Sequence, residues 1–407
     1  MASVLSMILA GGTGSRLAPM TEYRAKPAVP FGGQYRIIDF VLSNFVNSDL
    51  HKIYLVTQFK SHSLSKHIQR CWRIAGLSDK FIDTLPAQMW TGKDWYQGTA
   101  DAIYQNLHHI DYHRPDIVCV FGGDHIYKMD VRQMTSFHEK HNADLTVSAV
   151  PVPVNQAHNF GVIEVDKSGR MIGFQEKPTS RPKTMVGNPN YVLASMGNYV
   201  FNRRCLIKEL QADNKIVDST HDFGKDVIPS LYPRAKVMVY DFTTNIIQGD
   251  NNDGYWRDVG TTDSYWQSNM DLLSSKPPIN LHNQRWPINT YIPPYPPALI
   301  AYDRRVRTGQ ITNSMVGNGC IFNDIFMDHS VIGYNVRMDN LARVSDSVIL
   351  PNVVIGEGAE IRRAIIDKRA EIGPGVKVGV NVMDDRKRFT VTDSGLVVVP
   401  RGMKVGV

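Results

Sequence analysis

From Ile311 to Val380 an aliphatic or aromatic residue returns every five or six positions, a spacing that few folds accept. Val316, Ile321, Phe326, Val331, Val336, Val348 and Val353 carry it, and Ile372 and Val378 resume it later. Glycine follows such positions at Gly317, Gly333, Gly356, Gly373 and Gly379. This is the signature of hexapeptide repeats, in which three six-residue edges make one turn of a parallel β-helix. Roughly 70 residues at about 18 per turn allow about four turns. An irregular antiparallel sandwich is the alternative.

The segment before the repeats has a different texture. From Val4 to about Phe242, short apolar runs alternate with amphipathic stretches, as repeated strand–helix units do. Leu5–Leu9, Ile53–Val56, Ile117–Phe121 and Leu145–Val150 are short and mostly rich in β-branched residues, which suits buried strands of a mostly parallel sheet. Ligands bind outside the carboxyl ends of such strands, so Gly11–Arg16 and Gly122–Asp124 are where chemistry is expected. Between the two textures lie Pro277-Pro278, Pro293-Pro294 and Pro296-Pro297, incompatible with a regular helix or central strand. Trp286, Tyr291 and Tyr295 inside this linker predict that it packs down. The expected organisation is 1–275, a linker over 276–300, and a β-helix over 301–407.

Gly11-Gly12-Thr13-Gly14-Ser15-Arg16 fits neither GxxxxGK[ST] nor GxGxxG. What remains is a loop whose backbone N–H groups can surround phosphate oxygens, with the Arg16 guanidinium beside it. Arg24 and Lys26 follow closely. Two cationic groups near a phosphate nest suggest a polyphosphate; taken singly, the same features could be turn glycines and solvated bases.

Net charge is +6, compatible with anionic metabolites or with plain surface charge. The longest basic cluster, Arg386-Lys387-Arg388, lacks the interleaved aromatics of a nucleic-acid platform, so no nucleic-acid partner is expected. No apolar run reaches the roughly 18 residues that cross a bilayer, and none near the start resembles a signal peptide, so a cytoplasmic protein without membrane contact is expected. Cys71, Cys119, Cys205 and Cys320 form no CxxC pair and read as buried thiols.

Several segments together carry a family resemblance: Gly11–Leu17, Arg24-Ala25-Lys26-Pro27-Ala28-Val29, Phe31-Gly32-Gly33, Trp95–Ala102, Gly123-Asp124-His125, Glu176-Lys177-Pro178, His221–Asp226 and Trp256–Gly260. Across essentially the whole chain they resemble bacterial glucose-1-phosphate adenylyltransferases, within the sugar nucleotidyltransferases. The resemblance implies an α/β fold: a Rossmann-like (GT-A-like) mixed sheet followed by a left-handed parallel β-helix. It also implies synthesis of ADP-glucose and pyrophosphate from ATP and glucose 1-phosphate, with Mg²⁺ as cofactor.

Carried over residue by residue, the resemblance implies that Arg16 and Lys26 bind the β- and γ-phosphates. Asp124 and Asp258 would hold the metal. Glucose 1-phosphate would meet Tyr96, Gly161, Glu176, Lys177, Ser195 and Asp222. Neighbours on an extended segment point opposite ways, so Glu176 and Lys177 can share one ligand only where the backbone bends. Gly11 and Gly12 would admit the nucleotide and Gln88 read its base. Phosphorylated effectors would bind between the two domains, with Arg24, Arg36 and Arg386 as candidates and Gln58 and Trp95 as relays. Enterobacterial members carry a lysine just before the RAKP segment where this chain has Tyr23, so their sugar-bisphosphate activator is not carried over. A homotetramer is the family expectation. The alternatives are a non-catalytic regulatory subunit, an enzyme using UTP or dTTP, and a β-helix acyltransferase, for which His329 is the sole repeat-region histidine.

Overall fold

The computed structural model describes residues 2–73, 79–88, 95–180, 182–251, 254–302 and 309–407. Apart from the short antiparallel pair Pro30–Phe31 and Tyr35–Arg36, the strands of the first part in chain order are β1 (Val4–Leu9), β2 (Lys52–Thr57), β3 (Phe81–Pro86), β4 (Ile117–Gly122), β5 (His125–Tyr127), β6 (Leu145–Pro153), β7 (Gly161–Val165), β8 (Met171–Glu176), β9 (Tyr191–Asn202), β10 (Val237–Asp241) and β11 (Trp256–Asp258). The main sheet runs β8-β7-β9-β4-β1-β2-β3, with β6 joined to β9 and β10 to β6. β1 is parallel to β2 and β4, whereas β9 is antiparallel to β4, β6 and β7, so the sheet is mixed.

The apolar runs become central strands because both faces of the sheet are covered. Ile8, Ile53, Leu55, Cys119 and Phe121 point into one core, and Leu5, Met7, Val56, Val118 and Val120 into the other. A strand with a solvated face would alternate apolar and polar residues; these do not. Helices α1 (Ile37–Asn47), α2 (His62–Cys71) and α3 (Thr99–Tyr104) lie between successive strands, and α4 (Thr262–Met270) follows β11. No helix among the described residues is long and apolar enough to cross a membrane.

The repeat region folds as three faces of parallel strands, one of them ending in the antiparallel strand Thr390–Val391. On the first face Ile321 pairs with Arg337, Arg337 with Val354 and Val354 with Glu371, steps of 16, 17 and 17 residues. Each turn is thus shorter than three full hexapeptides, which explains the imperfect six-residue register. This face has six strands, from Leu299–Ala301 to Lys404–Val405, more than the four turns expected. The additional rungs lie outside the periodic stretch: Leu299–Ala301 precedes it, and Lys404–Val405 follows an insertion carrying the helix Val382–Asp385, which interrupts the spacing. Residues 303–308 of the expected β-helix segment lie outside the described residues.

Inside the coil, Phe322, Met338, Ile355 and Ile372 stack from one face, while Ile332, Ile349 and Ile366 stack from another. The latter face is buried on its outer side as well. Val331, Val348, Ile365 and Val398 pack with Leu17, Val29, Phe31, Ile37, Phe40, Val259 and Tyr265 of the first part. Arg24, itself buried, donates to the buried carboxylate of Asp367 across the same junction. The proline-rich linker packs down as expected: Trp286 is buried and Tyr295 stacks on Tyr334 with centroids 5.7 Å apart.

Two aliphatic residues at equivalent outward positions test this docking. Ile365 is fully buried whereas Val354, on the open face, is 39% exposed. Ile365→Ala is expected to cost about 2–5 kcal/mol by leaving a cavity. Val354→Ala should stay within about 0.5 kcal/mol. Denaturant unfolding of the two variants beside the parent protein checks the contrast, and equal losses would contradict it.

Candidate active site

A cavity of about 630 Å³ opens at the carboxyl ends of β1, β2 and β4, where the strand-end rule places a ligand. Its rim is the loop Gly11–Ser15 that leaves β1, with Gly14 in the left-handed region (φ 62°). Arg16 lies beside Gly260, near Asp258: a Cβ on Gly260 would come 3.1 Å from its Nη2.

Asp124 and Asp258 are 134 residues apart in sequence and adjacent in space. Asp124 ends the turn after β4, and β11 pairs antiparallel with β5 so that Asp258 faces His125. Between the carboxylates sits Lys26, carried by a tight turn over Lys26–Ala28. Its Nζ donates to Asp124 Oδ2 at 2.8 Å and to Asp258 Oδ1 at 2.9 Å. Burial alone would lower the lysine pKa, but the two carboxylates more than offset it and raise it above the ordinary value. Burial also opposes ionisation of Asp124, yet the ammonium of Lys26, then His125, hold its carboxyl well below the usual range. One ligand atom each from Asp124, His125 and Asp258 lies within 4.8 Å of the others. Two hard carboxylate donors already gathered around a cation suit a divalent metal ion.

The opposite end of the cavity is built around Glu176. A Cβ on Gly161 would come 2.8 Å from Glu176 Oε2, and one on Gly224 would come 2.9 Å from it. Two glycines from distant segments thus make the room in which this carboxylate sits; Gly161 was expected from sequence, Gly224 was not. Strand β8 ends at Glu176, and Lys177 takes φ 44°, so the backbone turns where the two neighbours need to share one site. Lys177 Nζ lies 3.4 Å from Glu176 Oε1 and is largely exposed. Ser195 stands at the β9 bulge, where its Oγ accepts from Gly197 N–H at 3.3 Å. Asp222 caps the turn Phe223–Val227 by accepting from Gly224 and Lys225. Tyr96 Oη accepts from Asn106 at 2.9 Å.

Gly11, Gly12, Arg16, Lys26, Tyr96, Asp124, Gly161, Glu176, Lys177, Ser195, Asp222 and Asp258 all line this one cavity. Gln58 lines it too, its side chain bonded to the backbone of Tyr96 at 2.9 and 3.4 Å. Gln88, exposed just beyond β3, and Trp95, 54% exposed, are not among its lining residues.

Arg24 and Arg36 lie elsewhere, at the junction with the β-helix. Sequence reasoning missed the side chain that joins them: Lys368, whose pKa is driven well below the ordinary value by burial and then by Arg36, Arg24 and Arg401. Asp367 is the acidic partner at this cluster. Its signal was only the dipeptide Asp367-Lys368 within a repeat, which reads as a solvated corner. Arg386 sits in the β-helix insertion, beside Lys387 and Arg388, which pair with Asp384 and Asp385. His329 pairs with Asp346 on the repeat surface at 2.7 Å.

A family model described as nucleotidyl transferase matches residues 5–275, and one described as GlmU-like C-terminal hexapeptide matches 296–399. The chain is 53% identical over 406 residues to a glucose-1-phosphate adenylyltransferase of Aliivibrio fischeri and, to the same extent, to glucose-1-phosphate adenylyltransferase 1 of Vibrio parahaemolyticus. It is 50% identical over 409 residues to the glucose-1-phosphate adenylyltransferase of an Anaeromyxobacter strain. Each alignment spans 100% of both chains.

The position of Lys26 has a measurable consequence. In Lys26→Met the two carboxylates face one another without their cation, so an added divalent ion has no internal competitor. Millimolar Mg²⁺ is expected to raise the melting temperature of that variant by at least about 2 °C more than that of the parent protein. An equal response in a thermal-shift titration would contradict the competition.

Proposed function

The chain belongs to the glucose-1-phosphate adenylyltransferase family, and from that premise we propose that its cleft joins ATP to α-glucose 1-phosphate, giving ADP-glucose and pyrophosphate. One observation carries the proposal. A glycine loop with Arg16 and Lys26 at one end, and the Glu176–Lys177 cradle at the other, meet at Asp124 and Asp258 in a single cavity.

An oxygen of the sugar phosphate attacks the α-phosphorus in line as the bond to pyrophosphate breaks. The protein therefore needs to position and neutralise rather than form a covalent bond. Glu176 accepts from sugar hydroxyls, with Tyr96, Ser195 and Asp222 around the ring, and Lys177 takes the phosphate. Its exposure suits a side chain that must fold onto an arriving anion. The open backbone at Gly11 and Gly12 admits the nucleotide, and Gln88 would close on the base from outside the cavity wall. Arg16 and Lys26 stabilise the departing pyrophosphate; the Lys26 ammonium keeps a third N–H beyond the two it gives the aspartates. Asp124 and Asp258 would hold Mg²⁺, which supplies charge neutralisation at the polyphosphate when bound.

The same proposal extends to regulation. Arg24, Arg36 and Lys368, with Arg401 near, crowd positive charge at the domain junction, and a phosphorylated metabolite there would relieve it. Gln58, tied to Tyr96, and Trp95 beside it stand on the route to the cleft, while Arg386 is the more remote candidate. A homotetramer, with further contacts through the β-helix, completes the proposal. A regulatory subunit without activity is disfavoured by the intact set Arg16, Lys26, Asp124, Lys177 and Asp258.

Purified protein supplied with Mg²⁺, ATP and glucose 1-phosphate is expected to release pyrophosphate, with UTP and dTTP supporting far less. Asp124→Asn is expected to lower kcat by about 10²-fold or more. No release with ATP, or a preference for another nucleotide, would reject the proposal.

A further inference from the structure

The carboxylate of Asp222 is oriented by a residue that the proposed function leaves without a role. Thr99 Oγ1 donates to Asp222 Oδ2 at 3.0 Å and accepts the N–H of Phe223 at 3.0 Å. The other oxygen, Oδ1, accepts from the N–H groups of Gly224 at 2.9 Å and Lys225 at 3.1 Å. Backbone thus fixes one carboxylate oxygen and the Thr99 hydroxyl fixes the second, so the plane of the group cannot rotate.

The attachment is built, not incidental. Thr99 is the first residue of α3, after Gly98. A Cβ on Gly98 would lie 2.2 Å from the carbonyl oxygen of His221, and Ala100 N–H donates to that same carbonyl at 2.8 Å. Only glycine permits this approach, so Gly98-Thr99 and His221-Asp222-Phe223 interlock although Thr99 and Asp222 are 123 residues apart. Thr99 also lines the cavity with Asp222. Three residues earlier, the backbone of Tyr96 is held by Gln58. Thr99 therefore stands between a segment anchored at the end of β2 and the carboxylate assigned to the sugar.

We infer that Thr99 is a positioning residue of the sugar subsite, setting through its hydroxyl the direction in which Asp222 presents its remaining lone pairs to the sugar phosphate. The inference rests on the assignment of Asp222 to the sugar. Valine at this position would keep the shape and remove the donor. Asp222 Oδ2 and the Phe223 N–H would then both lose a partner, and the carboxylate would be free to turn.

Steady-state kinetics on the full-length protein tests this with Thr99→Val, Thr99→Ser, Asp222→Asn and the Thr99→Val/Asp222→Asn pair. Thr99→Val is expected to raise KM for glucose 1-phosphate about 10-fold, the worth of one hydrogen bond to a charged group, with KM for ATP changed less than about twofold. Thr99→Ser should restore the parent value within about threefold, and the double variant should be no worse than Asp222→Asn alone. Thr99→Ala, which removes the same hydroxyl without added bulk, must give the same split and replaces Thr99→Val should that variant not fold. Equal changes in both KM values, a serine variant as impaired as valine, or multiplying defects in the double variant would overturn the inference. Should the parent enzyme prefer a different sugar 1-phosphate, the sugar identity falls, and the same ratios measured with that substrate still decide the role of Thr99.

Discussion

A lysine ammonium buried between two carboxylates dictates much of what surrounds it. Charges taken out of water persist only with close partners, so the turn carrying Lys26, the strand end carrying Asp124 and the strand carrying Asp258 must all arrive at one point. None of the three segments is near another in sequence. The short β5–β11 pairing brings the aspartates together, and these residues form a two-stranded unit separate from the main sheet. The cleft takes its position from this meeting point.

The β-helix is part of that arrangement rather than an appendage. The apolar residues that pack on its covered face are the neighbours of those that line the cleft: Leu17 follows Arg16, Val29 closes the Lys26 turn, Ile126 follows His125 and Val259 follows Asp258. Alternation explains the placement. In the extended segments at His125-Ile126 and Asp258-Val259 one side chain faces the cavity and the next faces away, while the tight turns Ser15–Leu17 and Lys26–Ala28 reverse direction to the same effect, and the β-helix wall receives the second set. Removing the wall would expose the backs of the cleft-lining segments, so the outer aliphatic residues Val331, Val348, Ile365 and Val398 support the cleft without lining it.

Legibility in the sequence followed the range of the interactions involved. Leu5–Leu9 and Ile117–Phe121 announced buried strands because continuous β-branched and aliphatic runs have few other uses, and the residues just after them do open the cleft. The bend at Lys177 was legible from the need of Glu176 and Lys177 to share a ligand. The β-helix was legible as a type but not in extent, since the insertion at Val382–Asp385 breaks the spacing that reveals it. Pairings across long separations were not legible. Nothing local marks Gly224 as the second wall of the Glu176 cradle, Thr99 as the partner of Asp222, or Lys368 as the companion of Arg24 and Arg36. Lys26 was expected to face phosphate, and its bond to both aspartates follows only from a fold that places them at its sides.

Arg24 and Lys26 are two residues apart and serve opposite faces of one segment. Arg24 reaches back to Asp367 of the β-helix, and its Nε donates to the Met20 carbonyl at 2.8 Å. Lys26 reaches forward to the aspartates. Ala25 between them is buried, and its N–H donates to the carbonyl oxygen of Lys60 at 3.3 Å. The segment is therefore held at both ends within three residues, by Asp367 on one side and by the two aspartates on the other, among close-packed neighbours. The basic side chains gathered at the junction and the ammonium held in the cleft are thus joined by a single stretch of backbone, which the β-helix and the cleft each grip from one side.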